Sequence, residues 1–326
     1  MRTFIRLVVR LVIVVGFVYA STFGGCLALK ARTHAPAEAL LDRRLQSHVR
    51  MLAETIGNRN LSDHAHLMRA ADYIEAQFLS MGYTVQKQPY VISGRESANL
   101  IAERPGTRKP EELIIVGAHY DTLYNPGADD NASGVAGVLE LARAFAGKPT
   151  DRTIRFVAFT NEEPPYFKSN FMGSRQYVRS LKDSGSHVVG AVILEMIGYY
   201  DERPFSQRYP PLFGPLYPNR GDFIGIVGNF KSAPLVKRAK EAFKAATPFP
   251  VESVVTLESV PGVDWSDNWS FWQEGYPAIM ATDTAFFRNP HYHTADDTWD
   301  TLDYMRMAGA VEGLTAVVDD LSRSSQ

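Results

Sequence analysis

Between His119 and Gly134 the chain reads His-Tyr-Asp-Thr-Leu-Tyr-Asn-Pro-Gly-Ala-Asp-Asp-Asn-Ala-Ser-Gly. Three acids close together, Asp121, Asp129 and Asp130, repel one another unless a cation holds them. The bland alternative is a solvated Asp/Asn/Gly turn. Further along, Glu162-Glu163, Glu195 and His291-Tyr292-His293 offer more imidazole and carboxylate. Each is weak by itself, since a Glu pair is usually a solvated charge run and a lone buried histidine usually a satisfied core residue. Together, imidazole and carboxylate without cysteine suit zinc. Two zinc ions about 3.5–4 Å apart can share one bridging carboxylate.

Such groups act together only if the fold gathers them. Leu113-Ile114-Ile115-Val116 is a β-branched run of the kind that forms a buried strand, and residues 135–143 have helical spacing. The loop bearing His119 and Asp130 therefore follows a strand and precedes a helix, in the crevice where open α/β sheets bind ligands. Residues 153–160 read as a second buried strand running into Asn161-Glu162-Glu163, and residues 188–196 as a third with Glu195 at its end. Residues 37–56 and 62–82 read as helices, the second started by Ser62-Asp63 and ended by Gly82. His64 and His66 lie two apart on that helix, face different directions and read as surface residues. Residues 83–92 and 97–103 look like paired strands joined around Gly94. Strands at 223–227 and 278–282, and helices at 172–181, 233–246 and from about 303 to 321, complete the pattern. The alternation predicts an α/β fold with a mixed, mainly parallel central sheet and helices on both faces. The proline-rich stretch 204–218 is a surface insertion expected to shape one wall of the cleft.

The 326-residue chain, with 45% hydrophobic and 21% charged residues, can bury a sizeable core. A net charge of -2 gives no reason to expect nucleic acid as a partner. Cys26 is the single cysteine, which excludes an intramolecular disulfide and any thiolate zinc site. Residues 1–30 stand apart: Arg2, Arg6 and Arg10 precede an uncharged run over residues 11–29. That pattern is a secretory signal, with Val18-Tyr19-Ala20 near the cleavage site, or an uncleaved membrane anchor. Under either reading the arginines stay in the cytoplasm and the rest of the chain is exported, periplasmic, extracellular or tethered outside the cytoplasm. Membrane contact is then confined to this segment. Lipidation at Cys26 is a poor match to a lipobox, and Gly16, Gly24 and Gly25 argue against a buried helix.

The segments AHYDT, PGADDNASG, NEEPPYF…MGS, LEMIGY and PHYHTADDT resemble the motifs of the M28 family of zinc peptidases, over roughly residues 95–320. That family includes aminopeptidases, glutamate carboxypeptidase and, more distantly, glutaminyl cyclases. The resemblance implies a zinc-peptidase (phosphorylase/hydrolase-like) domain over residues 31–326, with two zinc ions and a peptide substrate. By position, His119 looks like the terminal ligand of one zinc, Glu163 like that of the other, Asp130 like the bridging carboxylate and His293 like the last ligand. Asp121 matches the acid that orients the histidine ring; a ligating imidazole needs such an acceptor to fix its tautomer. Glu162 matches the general base, and Tyr292 resembles a tyrosine that donates to the oxyanion in some members. Asp267 matches a recurrent Ser-Asp that supports the site from behind, while Asp129 and His291 read as structural. The chain departs from the family at Glu195, where aspartate is usual, and at Pro164-Pro165, where many members have a glycine-containing turn. As a ligand, Glu195 is one methylene longer; otherwise it supports the loop at Gly198.

The reading that follows is an exported two-zinc hydrolase of peptide bonds, an aminopeptidase with Glu162 as base. Its rivals are a glutaminyl-peptide cyclotransferase on a similar scaffold and a non-catalytic binding ectodomain, whose mark is ligand loss. Here every ligand position carries a competent side chain.

Overall fold

The apolar runs become the middle of one eight-stranded sheet. The structure, a computed structural model, describes residues 38–324; the segment read as a signal peptide or anchor, residues 1–30, lies outside the described residues. The strands are β1 (Val85–Ile92), β2 (Arg95–Arg104), β3 (Lys109–His119), β4 (Arg152–Phe159), β5 (His187–Glu195), β6 (Ile224–Gly228), β7 (Val251–Val255) and β8 (Ala278–Thr282). They lie in the order β1-β2-β4-β3-β5-β8-β6-β7. The central block β4-β3-β5-β8 is parallel, and so is the β6–β7 edge. β1 and β2 form an antiparallel hairpin, β2 joins β4 antiparallel, and β6 joins β8 antiparallel. The hairpin turns at Ser93 (φ 49°) and Gly94 (φ 78°), the two left-handed residues that a two-residue turn between twisted strands requires.

The helices are α1 (Glu38–Arg50), α2 (His64–Ser80), α3 (Gly134–Phe145), α4 (Gly173–Asp183), α5 (Ala233–Ala246), α6 (Asn268–Gln273) and α7 (Tyr304–Ser322). Strand periodicity assigns them to faces. Along β3, Ile114, Val116 and Ala118 join the larger core with Leu45 of α1, Ile74 of α2, Val138 of α3 and Leu314 of α7. Leu113 and Ile115 point the other way, to Tyr177 and Leu181 of α4 and Phe271 of α6. Both faces being covered, the strand reads as a continuous apolar run rather than an alternating one. Each large side chain buried this way contributes on the order of 1.5–3 kcal/mol.

β4 lies on one side of β3 and β5 on the other, so the crossovers through α3 and α4 diverge and leave a crevice at the carboxyl ends of β3, β4 and β5. The predicted mixed, mainly parallel sheet with helices on both faces is the fold observed. Two elements were not expected: β7, a short edge strand just after Pro248-Phe249-Pro250, and the six-residue α6. The helix predicted over 37–56 is α1 continued by a wider turn at Met51–Ile56, which ends at Gly57 with φ 81°. Among the described residues no helix is long and apolar enough to cross a membrane.

Candidate metal centre

β3 ends on His119, β5 ends on Glu195, and β4 runs out into Glu162-Glu163. The loop after β3 brings Asp130 back over the strand ends, and the segment after β8 supplies His293. His119 Nε2 stands 3.4 Å from Asp130 Oδ1 and 3.4 Å from Glu195 Oε2. His293 Nε2 stands 3.0 Å from Asp130 Oδ2 and 3.3 Å from Glu163 Oε2. Two three-donor groups capable of holding a metal ion therefore share Asp130, one oxygen to each: His119–Asp130–Glu195 and Asp130–Glu163–His293.

The donor set fits zinc. Ligands placed tetrahedrally about zinc at roughly 2.0 Å stand about 3.3 Å apart, and the four separations bracket that value. His119 Nε2 and Glu163 Oε1 are buried without a hydrogen-bond partner, which is costly unless something else meets them. Three donors in each group leave a fourth position for substrate or water.

Local chain geometry explains the convergence. Gly134 starts α3 where a Cβ would fall 2.3 Å from Asn131 Oδ1 and 2.6 Å from Leu194 O, so only glycine lets the loop close on β5. Asn131 donates to Leu194 O at 2.9 Å and accepts from Met196 N at 3.0 Å, tying that loop to the end of β5. Asn161 (φ 57°), Met196 (φ 48°) and His293 (φ 58°) hold left-handed backbone at or beside site residues. Strain of this kind, about 1–3 kcal/mol each, persists only where the surroundings over-determine it.

Asp121 does more than orient the ring. Its main-chain oxygen lies 3.2 Å from His119 Nδ1, nearer than its carboxylate at 3.6 Å, and the two carboxylate oxygens accept from the backbone N–H groups of Glu162 at 3.0 Å and Glu163 at 3.1 Å. One residue thus meets the imidazole through its carbonyl, where the sequence pointed to its carboxylate, and ties the glutamate pair through that carboxylate. Glu162 Oε2 is 4.0 Å from His119 Nε2, near both groups but part of neither. Glu195 does not hold the loop at Gly198; it accepts from Ser266 Oγ at 2.6 Å and faces His119. Asp129 holds that loop instead, accepting from Gly198 N at 2.9 Å and from Asn289 Nδ2 at 2.7 Å. His291, read as structural, belongs to neither metal-binding group. His64 and His66 bond Glu96 O and Asp63 at the surface. Tyr292 stacks on His293 with centroids 3.8 Å apart.

Six carboxyl groups, on Asp121, Asp130, Glu162, Glu163, Glu195 and Asp267, crowd two imidazoles, all six acids buried. Burial, then Asp130, pushes the Glu163 carboxyl up to about 8 against the pull of His293. Burial raises Glu162 well above the usual range, with Glu163 and Glu195 adding to it against His119. Asp267 is pushed by burial to about 7. Burial works against Asp130 too, yet His119 and His293 hold it below its ordinary value. Burial by itself lowers the His293 imidazole, but Asp130 and Glu163 lift it to about 10. A dication is the kind of ligand that would offset this surplus of negative charge.

Sequence reasoning missed Asn131 and Asp297, which position the donors, and named Ser266 only as part of the Ser-Asp pair; Asp297 accepts from the N–H groups of Asp129 at 2.8 Å and Asp130 at 3.1 Å. Asn131 and Asp297 stood inside the quoted motifs as polar neighbours of ligands. A cavity of ≈ 120 Å³ touches Glu195 and Tyr292 and is lined also by Phe213, Tyr217, Phe223 and Phe286. The insertion forms its wall: Tyr209, Tyr217 and Phe213 stack in succession, and the base is pinned by an Asp201–Gly221 bridge.

The model of peptidase family M28 matches residues 99–318. The Escherichia coli (strain K12) protein YfbL is 42% identical over 285 residues, 84% of this chain and 87% of that protein. A probable leucine aminopeptidase of Trichophyton verrucosum is 29% identical over 64% of this chain and 53% of its own length, so the chain spans about half of that relative. Among solved structures, a zinc aminopeptidase from Bacillus subtilis superposes with a TM-score of 0.70 at 16% identity, covering 87% of this chain and 95% of that one, which shows the shared fold. With strand ends, donor order and family model in agreement, the chain belongs to peptidase family M28.

Proposed function

We propose that this peptidase is an exported two-zinc aminopeptidase acting on peptides with a large apolar amino-terminal residue. The observation that carries the reading is the pair of three-donor groups sharing Asp130. His119, Asp130 and Glu195 would hold one ion, and Asp130, Glu163 and His293 the other. Zinc bound there supplies Lewis acidity toward a carbonyl and toward water.

The chain's own residues do the rest. Glu162, poised beside both groups with its proton affinity raised, takes a proton from the attacking water and delivers it to the leaving amine. Asp121 keeps Glu162 aimed through its backbone N–H and meets the His119 ring with its main-chain oxygen. Tyr292, at the cavity wall, is the donor to the developing oxyanion. The carboxylate surplus favours the ammonium of a free amino terminus over a terminal carboxylate. A cavity of ≈ 120 Å³ is close in size to an apolar cavity of about 150 Å³ that accepts benzene, so an aromatic or leucyl side chain fits it.

The test is metal analysis with a panel of aminoacyl amides before and after chelation. Two zinc ions, loss of activity on chelation and preference for leucyl or phenylalanyl amides are expected. Full activity after exhaustive chelation ends the metal reading. Pyroglutamate formation from an amino-terminal Gln peptide without amide cleavage replaces it with a cyclase. The basis for export is the three arginines before an uncharged run; a reporter fused after Gln326 and active only in the cytoplasm refutes it.

A further inference from the structure

Arg59 lies in the connection between α1 and α2, far in sequence from every donor, and is completely buried. No carboxylate takes its guanidinium; backbone carbonyls do. Nε donates to Tyr120 O at 2.9 Å, between His119 and Asp121. Nη1 donates to Pro126 O at 2.7 Å and Nη2 to Gly127 O at 3.0 Å, just before Asp130. Nη1 also reaches Leu52 O at 2.8 Å and Gly57 O at 3.0 Å, which fasten the guanidinium to its own helix end. The backbone adds a reciprocal pair, Arg59 N to Thr122 Oγ1 at 2.9 Å and Thr122 N to Arg59 O at 2.9 Å. The opposite side of the same turn is taken by Asp297, on the N–H groups of Asp129 and Asp130. Gly127 (φ 61°) closes the turn so tightly that a Cβ would meet Thr122 Cγ2 at 2.2 Å and Asp130 O at 2.5 Å.

We infer that Arg59 is a positioning residue for the metal centre, its planar fork holding the His119–Asp130 loop in metal-binding geometry. The inference rests on the two-zinc reading above. The loop leaves the sheet at His119 and must return Asp130 to within 3.4 Å of it. Arg59 grips the loop at both ends of that excursion, at Tyr120 and at Pro126-Gly127. A guanidinium can do this because its five N–H groups diverge in a fixed plane; an ammonium donates from a single point. The sign of the effect separates geometry from charge. Arg59 sits in the field of Asp297, Asp121, Asp130 and Glu163, so as a bare cation it opposes an incoming dication. Removing charge alone tightens metal binding, and removing the fork loosens it.

The experiment measures Zn²⁺ affinity by chelator competition, and the visible spectrum with Co²⁺, on the full-length protein and on Arg59→Lys, Arg59→Met and Val49→Ala. Val49 is a core residue of α1, fully buried, and serves as a control for general destabilisation. Both Arg59 variants are expected to lose about 10–100-fold in affinity for at least one ion, the scale for residues that orient ligands, with an altered Co²⁺ spectrum. Val49→Ala should keep the wild-type affinity and spectrum. Wild-type affinity and spectrum in Arg59→Lys overturn the inference, as do tighter binding by Arg59→Met or an equal loss in Val49→Ala. Should Arg59→Met not fold, Arg59→Lys decides alone. Zinc-free wild-type protein would instead remove the two-zinc reading itself.

Discussion

Glu195 is where a quantitative test bites hardest, because its arm is longer than the family's usual aspartate. Glu195→Ala removes one of three donors and leaves His119 Nε2 and Ser266 Oγ without the carboxylate they now face. Loss of a group that merely orients a ligand costs about 10–100-fold in metal affinity, so loss of a direct donor should exceed about 100-fold, or about 2.8 kcal/mol. The second ion keeps Asp130, Glu163 and His293 and should remain. Glu195→Asp looks conservative but withdraws the carboxylate by about one C–C bond, ~1.5 Å. A zinc–oxygen contact of about 2.1 Å then opens to about 3.6 Å unless the backbone follows. The backbone is pinned: Leu194 O and Met196 N both bond Asn131, and Met196 O accepts from Asp283 N at 2.7 Å. Glu195→Asp should therefore resemble Glu195→Ala in zinc affinity. The assay is zinc content at limiting free zinc, with chelator competition for each ion. Two tightly held ions in Glu195→Ala with unchanged activity would make Glu195 structural; wild-type affinity in Glu195→Asp would refute the pinning argument.

Three further outcomes are expected. Glu162→Gln should retain both metal ions and lose about 10²–10⁴ in turnover; wild-type turnover assigns the base elsewhere. Phe213→Ala, which removes an aromatic ring from the cavity wall, should lower kcat/KM for phenylalanyl amides by about tenfold or more relative to alanyl amides, and an unchanged ratio refutes the cavity as the side-chain site. Remote from the centre, burial works to raise the Glu140 carboxyl, but His48, Arg44 and Arg143 outweigh it and hold it at about 2. A depressed acid gives stability present above its unfolded pKa of about 4.3 and lost as pH falls toward 2. Glu140→Gln should flatten that acid limb of the unfolding curve, by a few kcal/mol at most; an unaltered limb places the pH dependence in other groups.

Asp130 and His293 lie in loops after β3 and β8 and were singled out through the resemblance to the family. The candidate donors His119, Glu163 and Glu195 could be picked out at or just after the ends of apolar, β-branched runs, where a crevice lies in an α/β chain. Their order on β3, β4 and β5 needed only strand recognition and the two-faced burial of Leu113 to Ala118. What positions the donors was not legible. Arg59 acts on carbonyls 61 to 68 residues away, and nothing in Asn58-Arg59-Asn60 distinguishes it from a surface arginine. Ser266 meets Glu195 across 71 residues. β7 escaped because its alternation is too short and half-buried to stand out beside two prolines. The insertion could be read as a wall, but its three-ring stack depends on backbone turns that proline content alone does not specify.

The buried acids have a consequence for how the centre and the fold depend on each other. Without a cation, Glu162, Glu163, Asp267 and Asp297 all have raised proton affinity, the last to about 8. Each then either stays protonated or bears an uncompensated charge in a low-dielectric site. Nothing in the two apolar cores requires carboxyls at Glu162, Glu163 or Asp267, whereas Asp297 is matched by the N–H groups of Asp129 and Asp130. Glu162 and Glu163 stand at the rim just beyond the end of β4, while α1, α2, α3 and α7 bury a large core. Strain at Asn161, Met196 and His293 falls on the same rim. Arg59 and Asp297 meet the loop that carries Asp130 from outside the donor groups, and the donors stand at the spacing that ligands of one ion require.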